Sequence, residues 1–277
     1  MKDGALAVGN HRFHLALLLT SLGFALALAG FVASLGWQGG FVEAQALSKL
    51  LPPWLWETLT TLGDGRIQLA LALPFCLRYP RVFWAILLAA LVSALISRGI
   101  KLGLQLPRPA AVLDPGQITV IGAHLKSLSF PSGHTVSAVS FAAVWVAVLG
   151  WRSWPIAVLA VLAAFSRIAV GAHWPVDVLA GALIGLIGAW AGLHWSRRWR
   201  WGLTVTGHWI LVAVGVVAIA TLPFDGQGYP DTLVWRLIAT AWGLGGFIRV
   251  YLLPVIRLGW QAANRPLAAL RAAETKA

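Results

Sequence analysis

Apolar segments recur along this chain at about 14–36, 61–79, 82–102, 132–150, 154–172, 175–195, 203–222 and 232–253. Each is near the ~20 residues a helix needs to cross a bilayer. No other feature constrains the fold as strongly. Inside hydrocarbon every backbone N–H and C=O must be satisfied within the protein, so the expected architecture is all-α, a polytopic transmembrane helical bundle. Composition agrees: 59% of the 277 residues are hydrophobic and 11% are charged, against roughly 25% charged in a soluble domain. The segment 61–79 is shortened by Gly63, Asp64, Gly65 and Arg66.

The net charge of +12 fits either a nucleic-acid partner or basic cytoplasmic loops. The distribution decides. With the N-terminus in the cytoplasm, that side holds Lys2, Arg12, Arg78, Arg81, Arg152, Arg197, Arg198, Arg200, Arg257, Arg265, Arg271 and Lys276. The opposite side holds Lys49, Lys101, Arg108 and Lys126 with most of the acids, Glu43, Glu57, Asp64, Asp114, Asp225 and Asp231. This is the positive-inside bias with an even number of spans. Basic residues scattered over several loops offer no nucleic acid a single face, so the bilayer is the expected partner and nucleic acid is not. Trp37, Trp54, Trp56, Trp84, Trp151, Trp154, Trp195, Trp199 and Trp201 lie near span ends, where indole rings favour the interface.

Lys2, Arg12 and the Ala27-Leu28-Ala29 triplet resemble a cleavable signal peptide. The apolar run continues through Phe31, Val32 and Leu35, longer than such a signal needs, which favours a retained span. The single cysteine, Cys76, excludes an internal disulfide framework and a Cys-based metal site, and reads as a small buried hydrophobe.

Ionisable residues within or beside membrane spans are costly and call for a reason. Three clusters stand out, all on the non-cytoplasmic side. In Lys101–Pro109, Lys101 closes the third span and Arg108 follows about two helical turns on, so both can face one way, with Pro107 and Pro109 ending the helix. Alone, these read as snorkelling anchors. In Pro131–His134, Ser132 can cap a helix, Gly133 lets a ligand approach the backbone, and the free N–H groups of the helix start can hold an anion beside His134. Alone, this reads as a helix cap next to an interfacial histidine. In Ser166–Asp177, Arg167 lies deep in the fifth span, and His173 and Asp177 are four residues apart, on one face of a helix or of the turn entering it. A carboxylate on one imidazole nitrogen fixes the tautomer and frees the other as nucleophile or base. The plainer alternative is a structural His–Asp pair.

Taken together, three cations, a helix start and two histidines at one membrane face describe a site for a multiply charged anion, with phosphate the obvious one. Two histidines in unequal surroundings suit attack at phosphorus and protonation of a leaving oxygen. No carboxylate cluster suits Mg²⁺, so no metal or other cofactor is expected and the cations would stabilise phosphoryl charge themselves.

The pattern Lys101…Arg108-Pro109, Pro131-Ser132-Gly133-His134, Ser166-Arg167…His173…Asp177 resembles the signature of the type 2 phosphatidic acid phosphatase family, the membrane lipid phosphatase branch of the vanadium haloperoxidase superfamily. The resemblance covers about residues 60–195. It implies a six-helix core with the first span included, which argues against signal cleavage. It also implies His173 as the nucleophile forming a phosphohistidine, Asp177 orienting it, and His134 protonating the leaving group. Lys101, Arg108, Ser132, Gly133 and Arg167 would bind the phosphate, without metal, at the extracytoplasmic face. On this basis residues 1–195 form the core, 196–256 two additional spans, and 257–277 a cytoplasmic tail that is a surface helix or disordered.

The expected function is hydrolysis of a lipid phosphate, with undecaprenyl pyrophosphate first among substrates and phosphatidylglycerol phosphate, phosphatidic acid and a lipid A phosphate as alternatives. The expected location is a bacterial inner membrane with the site on the periplasmic side. A phosphotransferase would use the same residues, and a carrier of anionic lipids would use the same cations without chemistry. Outside the signature, Asp64 and Arg66 read as turn residues, the loop around 223–231 either lines the site or merely connects, and His124, His194 and His208 read as loop, interface and bundle residues.

Overall fold

The computed structural model describes residues 11–259. Its helices are α1 (His11–Leu35), α2 (Phe41–Ser48), α3 (Pro53–Thr61), α4 (Gly65–Ala72), α5 (Pro80–Leu104), α6 (Pro109–Val112), α7 (Gly133–Leu149), α8 (Trp154–Ala169), α9 (Pro175–Arg198), α10 (Val205–Ala220), α11 (Leu233–Phe247) and α12 (Leu253–Leu258). No strand occurs among the described residues. Four stretches are long and apolar enough to cross a membrane: Leu15–Leu35, Pro80–Val112, Pro175–Arg198 and Leu233–Arg257. α7, α8 and α10 are shorter apolar helices of 17, 16 and 16 residues. At 1.5 Å per residue they measure about 24–26 Å, somewhat less than a hydrocarbon core of about 30 Å.

The segment expected to span at 61–79 departs from that reading. Asp64 accepts a hydrogen bond from the Arg66 backbone N–H and so caps a new helix inside the apolar run. The resulting α4 is eight residues long and passes into a 3₁₀ turn at Leu73–Phe75 that contains Pro74. Its length is about 12 Å, well short of a crossing. α10 and α11 pack against it. Two glycines make the second contact possible. A Cβ at Gly243 would lie 3.0 Å from Ala70 Cα, and one at Gly246 would fall on the Pro74 ring.

The centre of the bundle is α9, flanked by α5, α7 and α1. Its glycines recur at 181, 185, 188 and 192, the small-residue spacing that lets helix backbones meet in membranes. The first pair faces α7, and Cβ atoms there would lie 2.8 Å from the carbonyl oxygens of Ser132 and Val136. The second pair faces α5 and would fall on Ser93 Oγ and Ala85 O. α9 therefore fixes the heights of both neighbours, and with them the ends that carry the polar clusters.

Two of the tryptophans expected at the interface are buried instead. Trp56 donates its indole N–H to Ser48 O, and Trp84 donates to Trp199 O. Cys76 is buried as expected, but in polar company: its Sγ lies 2.8 Å from Tyr251 Oη, which also bonds His208 Nε2. The expected C-terminal tail lies almost wholly outside the described residues.

A side chain at Gly192 must push α5 away from α9. Gly192→Leu is expected to cost about 1–3 kcal/mol and to lower the unfolding temperature in detergent. Gly99→Leu, on an open face of α5 with nothing within 4 Å, should leave it nearly unchanged.

Candidate active site

Three chain segments meet above α9: the end of α5 with the residues after it, the loop entering α7, and the turn from α8 to α9. α5 ends at Gln105, which takes a left-handed conformation with φ 47°. The chain then turns back on the α7 loop, with Arg108 N–H donating to Lys126 O at 3.0 Å and Ser129 N–H to Leu106 O at 2.9 Å. Lys101 and Arg108 therefore do not share a helical face, because the helix stops between them. They converge through the loop instead. Lys101 Nζ donates to Leu128 O at 2.6 Å and Ser129 O at 3.2 Å, while Arg108 donates through Nε to Ser127 O at 2.8 Å.

Ser132 is the N-cap of α7, and Thr135 Oγ1 lies 3.0 Å from its hydroxyl oxygen. Its own N–H donates to Asp177 O at 3.0 Å, joining the α7 start to the α9 start. The space where a Cβ of Gly133 would stand is open, so the first N–H groups of α7 can be approached. His134 is in this first turn, with its Cα and Cβ against Gly63 of the turn before α4.

α8 ends in a tight turn. The N–H groups of Ala172 and His173 both donate to Arg167 O at 3.1 Å, and Gly171 at φ 72° passes so close to Thr119 O that no other residue fits. Trp174 then caps α9, Pro175 takes its first position, and Asp177 its third. The Asp177 side chain is fully buried. Its Oδ2 accepts from Trp174 N–H at 2.9 Å, from Ser129 Oγ, and from His173 Nδ1 at 3.1 Å.

The tautomer of His173 follows from its neighbours. Arg108 Nη1 lies 3.3 Å from His173 Nε2 and can only donate. Nε2 therefore carries the lone pair and Nδ1–H donates to the carboxylate. Burial and the positive charges of Arg108, Arg167 and Lys101 hold this imidazole well below its usual pKa of 6.5. The arrangement can present an uncharged nucleophile, aimed among cations that would hold an anion.

Arg167 is 3% exposed. Its Nη1 donates to Thr60 Oγ1 at 2.6 Å and to Tyr229 Oη at 2.9 Å, and its guanidinium lies 5.8 Å from the Tyr229 ring centre. Nε is buried without a partner. Thr60, Tyr229 and Ser129 were not found from the sequence, since their partners lie 107, 62 and 48 residues away. The one signal was the glycine-rich stretch at 223–231, whose two open roles the structure separates. That loop lines the site. Gly122 at φ 85° abuts the Tyr229 ring, Asp225 pairs with Arg66 at 3.2 Å, and Gln227 Nε2 donates to Asp64 Oδ2 at 3.1 Å. Asp64 and Arg66, which read as turn residues, are thus also loop anchors. His134 lines a small cavity with Thr60, Asp64, Asp225 and Tyr229.

Among the described residues no three His, Cys, Asp or Glu side chains come together as metal ligands. His208 is a buried bundle residue, and His194 stacks on Trp190 at 5.3 Å.

Residues 82–201 match the family model described as PAP2 superfamily. The undecaprenyl-diphosphatase BcrC of Bacillus subtilis (strain 168) is 38% identical over 64 residues, 23% of this chain and 33% of that protein. An undecaprenyl-diphosphatase of Sulfolobus acidocaldarius is 40% identical over 58 residues, 21% and 28% of the respective lengths. The chain thus aligns with a third or less of these relatives. The crystal structure of Aquifex aeolicus LpxE superposes with a TM-score of 0.50 at 25% identity, covering 57% of this chain and 94% of that one.

Removing the phenol of Tyr229 takes away one of two hydrogen bonds that aim Arg167. Tyr229→Phe is expected to weaken orthophosphate binding about fivefold, near the net worth of one such bond, with the unfolding temperature held. Calorimetric titration in detergent measures it.

Proposed function

We propose that this chain, whose residues 82–201 match the PAP2 superfamily model, is an integral membrane lipid phosphatase working through a phosphohistidine on His173. The observation that carries this reading is the buried His173–Asp177 pair, with Nε2 unprotonated and directed at Arg108. In the proposed reaction Lys101, Arg108, Arg167, the Ser132 hydroxyl and the Gly133 N–H hold the phosphate oxygens. Nε2 attacks phosphorus while the bond from phosphorus to the lipid-side oxygen breaks. Protonated His134 gives that oxygen its proton. Asp177 holds Nδ1–H and stabilises the positive charge that develops on the ring. Neutral His134 then takes a proton from water, whose oxygen attacks the phosphohistidine. Phosphate leaves and Nε2 recovers its lone pair.

The relatives' names support a diphosphate on a polyprenyl chain, undecaprenyl pyrophosphate, as substrate. Phosphatidylglycerol phosphate, phosphatidic acid and a lipid A phosphate share the headgroup chemistry. The charge bias supports an extracytoplasmic site, periplasmic if the membrane is a bacterial inner one. Residues 1–195 would supply the catalytic core, and 196–256 two accessory helices whose connecting loop reaches Arg167.

Purified protein in detergent with EDTA is expected to release phosphate from at least one of these four lipids. His173→Ala should lose about three orders of magnitude or more, as when a covalent nucleophile is removed. Equal release by both proteins would remove the mechanism. A lipid-borne product in place of free phosphate would identify a transferase.

The low pKa of His173 sets a sign for the pH profile. An imidazole held below 6.5 keeps its lone pair at neutral pH and loses it only in acid. After correction for ionisation of the substrate's own phosphate, the acid limb of kcat/KM should fall below pH 6.5. A limb above that value would mean His173 is not the group whose lone pair is used.

A further inference from the structure

Of the signature residues, only His134 lines the small cavity under the loop after α10. That cavity measures about 10 Å³, and about 10–15 Å³ on this scale is the room of one water molecule. We propose that it seats the water that hydrolyses the phosphohistidine, with Thr60 and Tyr229 as its positioning residues. The proposal rests on the phosphatase reading above and adds where the water is held and from which side it arrives.

Hydrogen-bond direction points to this occupant. A guanidinium only donates, so Thr60 Oγ1 and Tyr229 Oη both act as acceptors toward Arg167 Nη1, at 2.6 and 2.9 Å. Each hydroxyl keeps its own hydrogen. Neither hydrogen has an acceptor among the described residues, although Thr60 is fully buried and Tyr229 is 6% exposed. Buried donors are rarely left unused. Both residues line the cavity together with His134. A water there accepts from the two hydroxyls and donates to neutral His134, which gives it about three polar partners, the usual number for a buried water. Both hydroxyls are also bonded to Arg167, a proposed phosphate ligand. The water therefore stands between the base and the group that holds the phosphoryl oxygens. When it attacks, its oxygen exchanges one hydroxyl bond for the bond to phosphorus. Its proton passes to His134, and the bond from phosphorus to His173 Nε2 breaks, its electron pair returning to the nitrogen.

The outer wall gives the direction of supply. It is built by Asp225 and Gln227, both exposed, and by Asp64. Polar bonds close it: Gln227 Nε2 donates to Asp64 Oδ2 at 3.1 Å and Arg66 Nη1 to Asp225 Oδ2 at 3.2 Å. The Asp225 side chain is 61% exposed, and an ion pair so exposed is worth little against water. This roof can part at small cost. Arg236 meanwhile holds the entry of the loop, donating to Leu222 O at 2.8 Å and Pro223 O at 3.2 Å. Water thus reaches His134 from the aqueous side, beneath the loop.

The test follows heavy oxygen. Wild type in detergent with heavy-oxygen-labelled orthophosphate loses label to water each time a phosphohistidine forms and is hydrolysed, and mass spectrometry counts what remains. Alkaline quenching during turnover of a lipid substrate gives the phosphohistidine level. Thr61→Leu extends an apolar side chain into the cavity from a residue whose hydroxyl bonds Thr58 O at 2.7 Å and not Arg167. It is expected to slow exchange at saturating phosphate about a hundredfold, the cost of displacing a reacting group by about an ångström. Its orthophosphate affinity should hold and its phosphohistidine should accumulate. Tyr229→Phe should slow exchange at saturating phosphate about fivefold, near the worth of one hydrogen bond, in addition to its weaker binding. Exchange by Thr61→Leu at the wild-type rate, or equal slowing of phosphohistidine formation and hydrolysis, would overturn the proposal. Should Thr61→Leu not fold, unchanged saturating exchange in Tyr229→Phe overturns it instead. Wild type that exchanges no label and releases phosphate from no lipid overturns the phosphatase reading, and the water seat with it. An active wild type beside unimpaired variants overturns the water seat alone.

Discussion

One carboxylate holds the candidate site together. Asp177 accepts through Oδ2 from His173, from the Trp174 backbone and from Ser129, and its carbonyl accepts from Ser132. Those partners belong to the α8–α9 turn, the loop entering α7 and the start of α7. The same atom thus caps a helix, fixes an imidazole tautomer and ties two loops. Charge-assisted bonds of this kind are worth about 1.5–3 kcal/mol each when the acceptor is ionised. Oδ1 is buried with no partner, so the carboxylate is held from one side only.

Around that anion stand three cations with no acid of their own. The chain satisfies two of them with carbonyl groups and the third with hydroxyls: Ser127, Leu128 and Ser129 face Lys101 and Arg108, Ala172 O accepts from Arg108 Nη1 at 3.0 Å, and Thr60 and Tyr229 accept from Arg167. Leu128, at φ 57°, is one of the few non-glycine residues in a left-handed conformation, and its carbonyl serves both cations. Carbonyl oxygens satisfy the donors without neutralising them. The positive field survives for a ligand, which a salt bridge to Asp or Glu would have cancelled.

How much of this is legible in the sequence depends on the distance over which each feature is determined. The His173–Asp177 relation is local: four residues, a proline at the first position and a helix start define it. The bundle is legible for a similar reason, since ~20-residue apolar runs have few alternatives. The break in the segment at 61–79 was visible as Gly63-Asp64-Gly65-Arg66, but its outcome, a helix restarting at Asp64, depended on a cap competing with span length. Lys101 and Arg108 come together for a reason other than the helical spacing suggested, because the left-handed Gln105 ends α5 first. Thr60 and Tyr229 lay beyond reach altogether. They meet Arg167 only because α3 packs on α8 and the loop after α10 folds back over both, contacts that no spacing in one chain encodes.

The partners of Arg167 bear on where this protein can be divided. The stretch matched by the family model, 82–201, contains Arg167 and every residue of the signature. It contains neither Thr60 nor Tyr229, which come from before and after it. A family-sized cassette cut at those limits and moved into another bundle would carry a guanidinium stripped of both its side-chain supports. Modularity in this chain is therefore a property of the motif and not of the machine: a portable unit has to reach at least from α3 through the loop after α10 to keep both supports of Arg167.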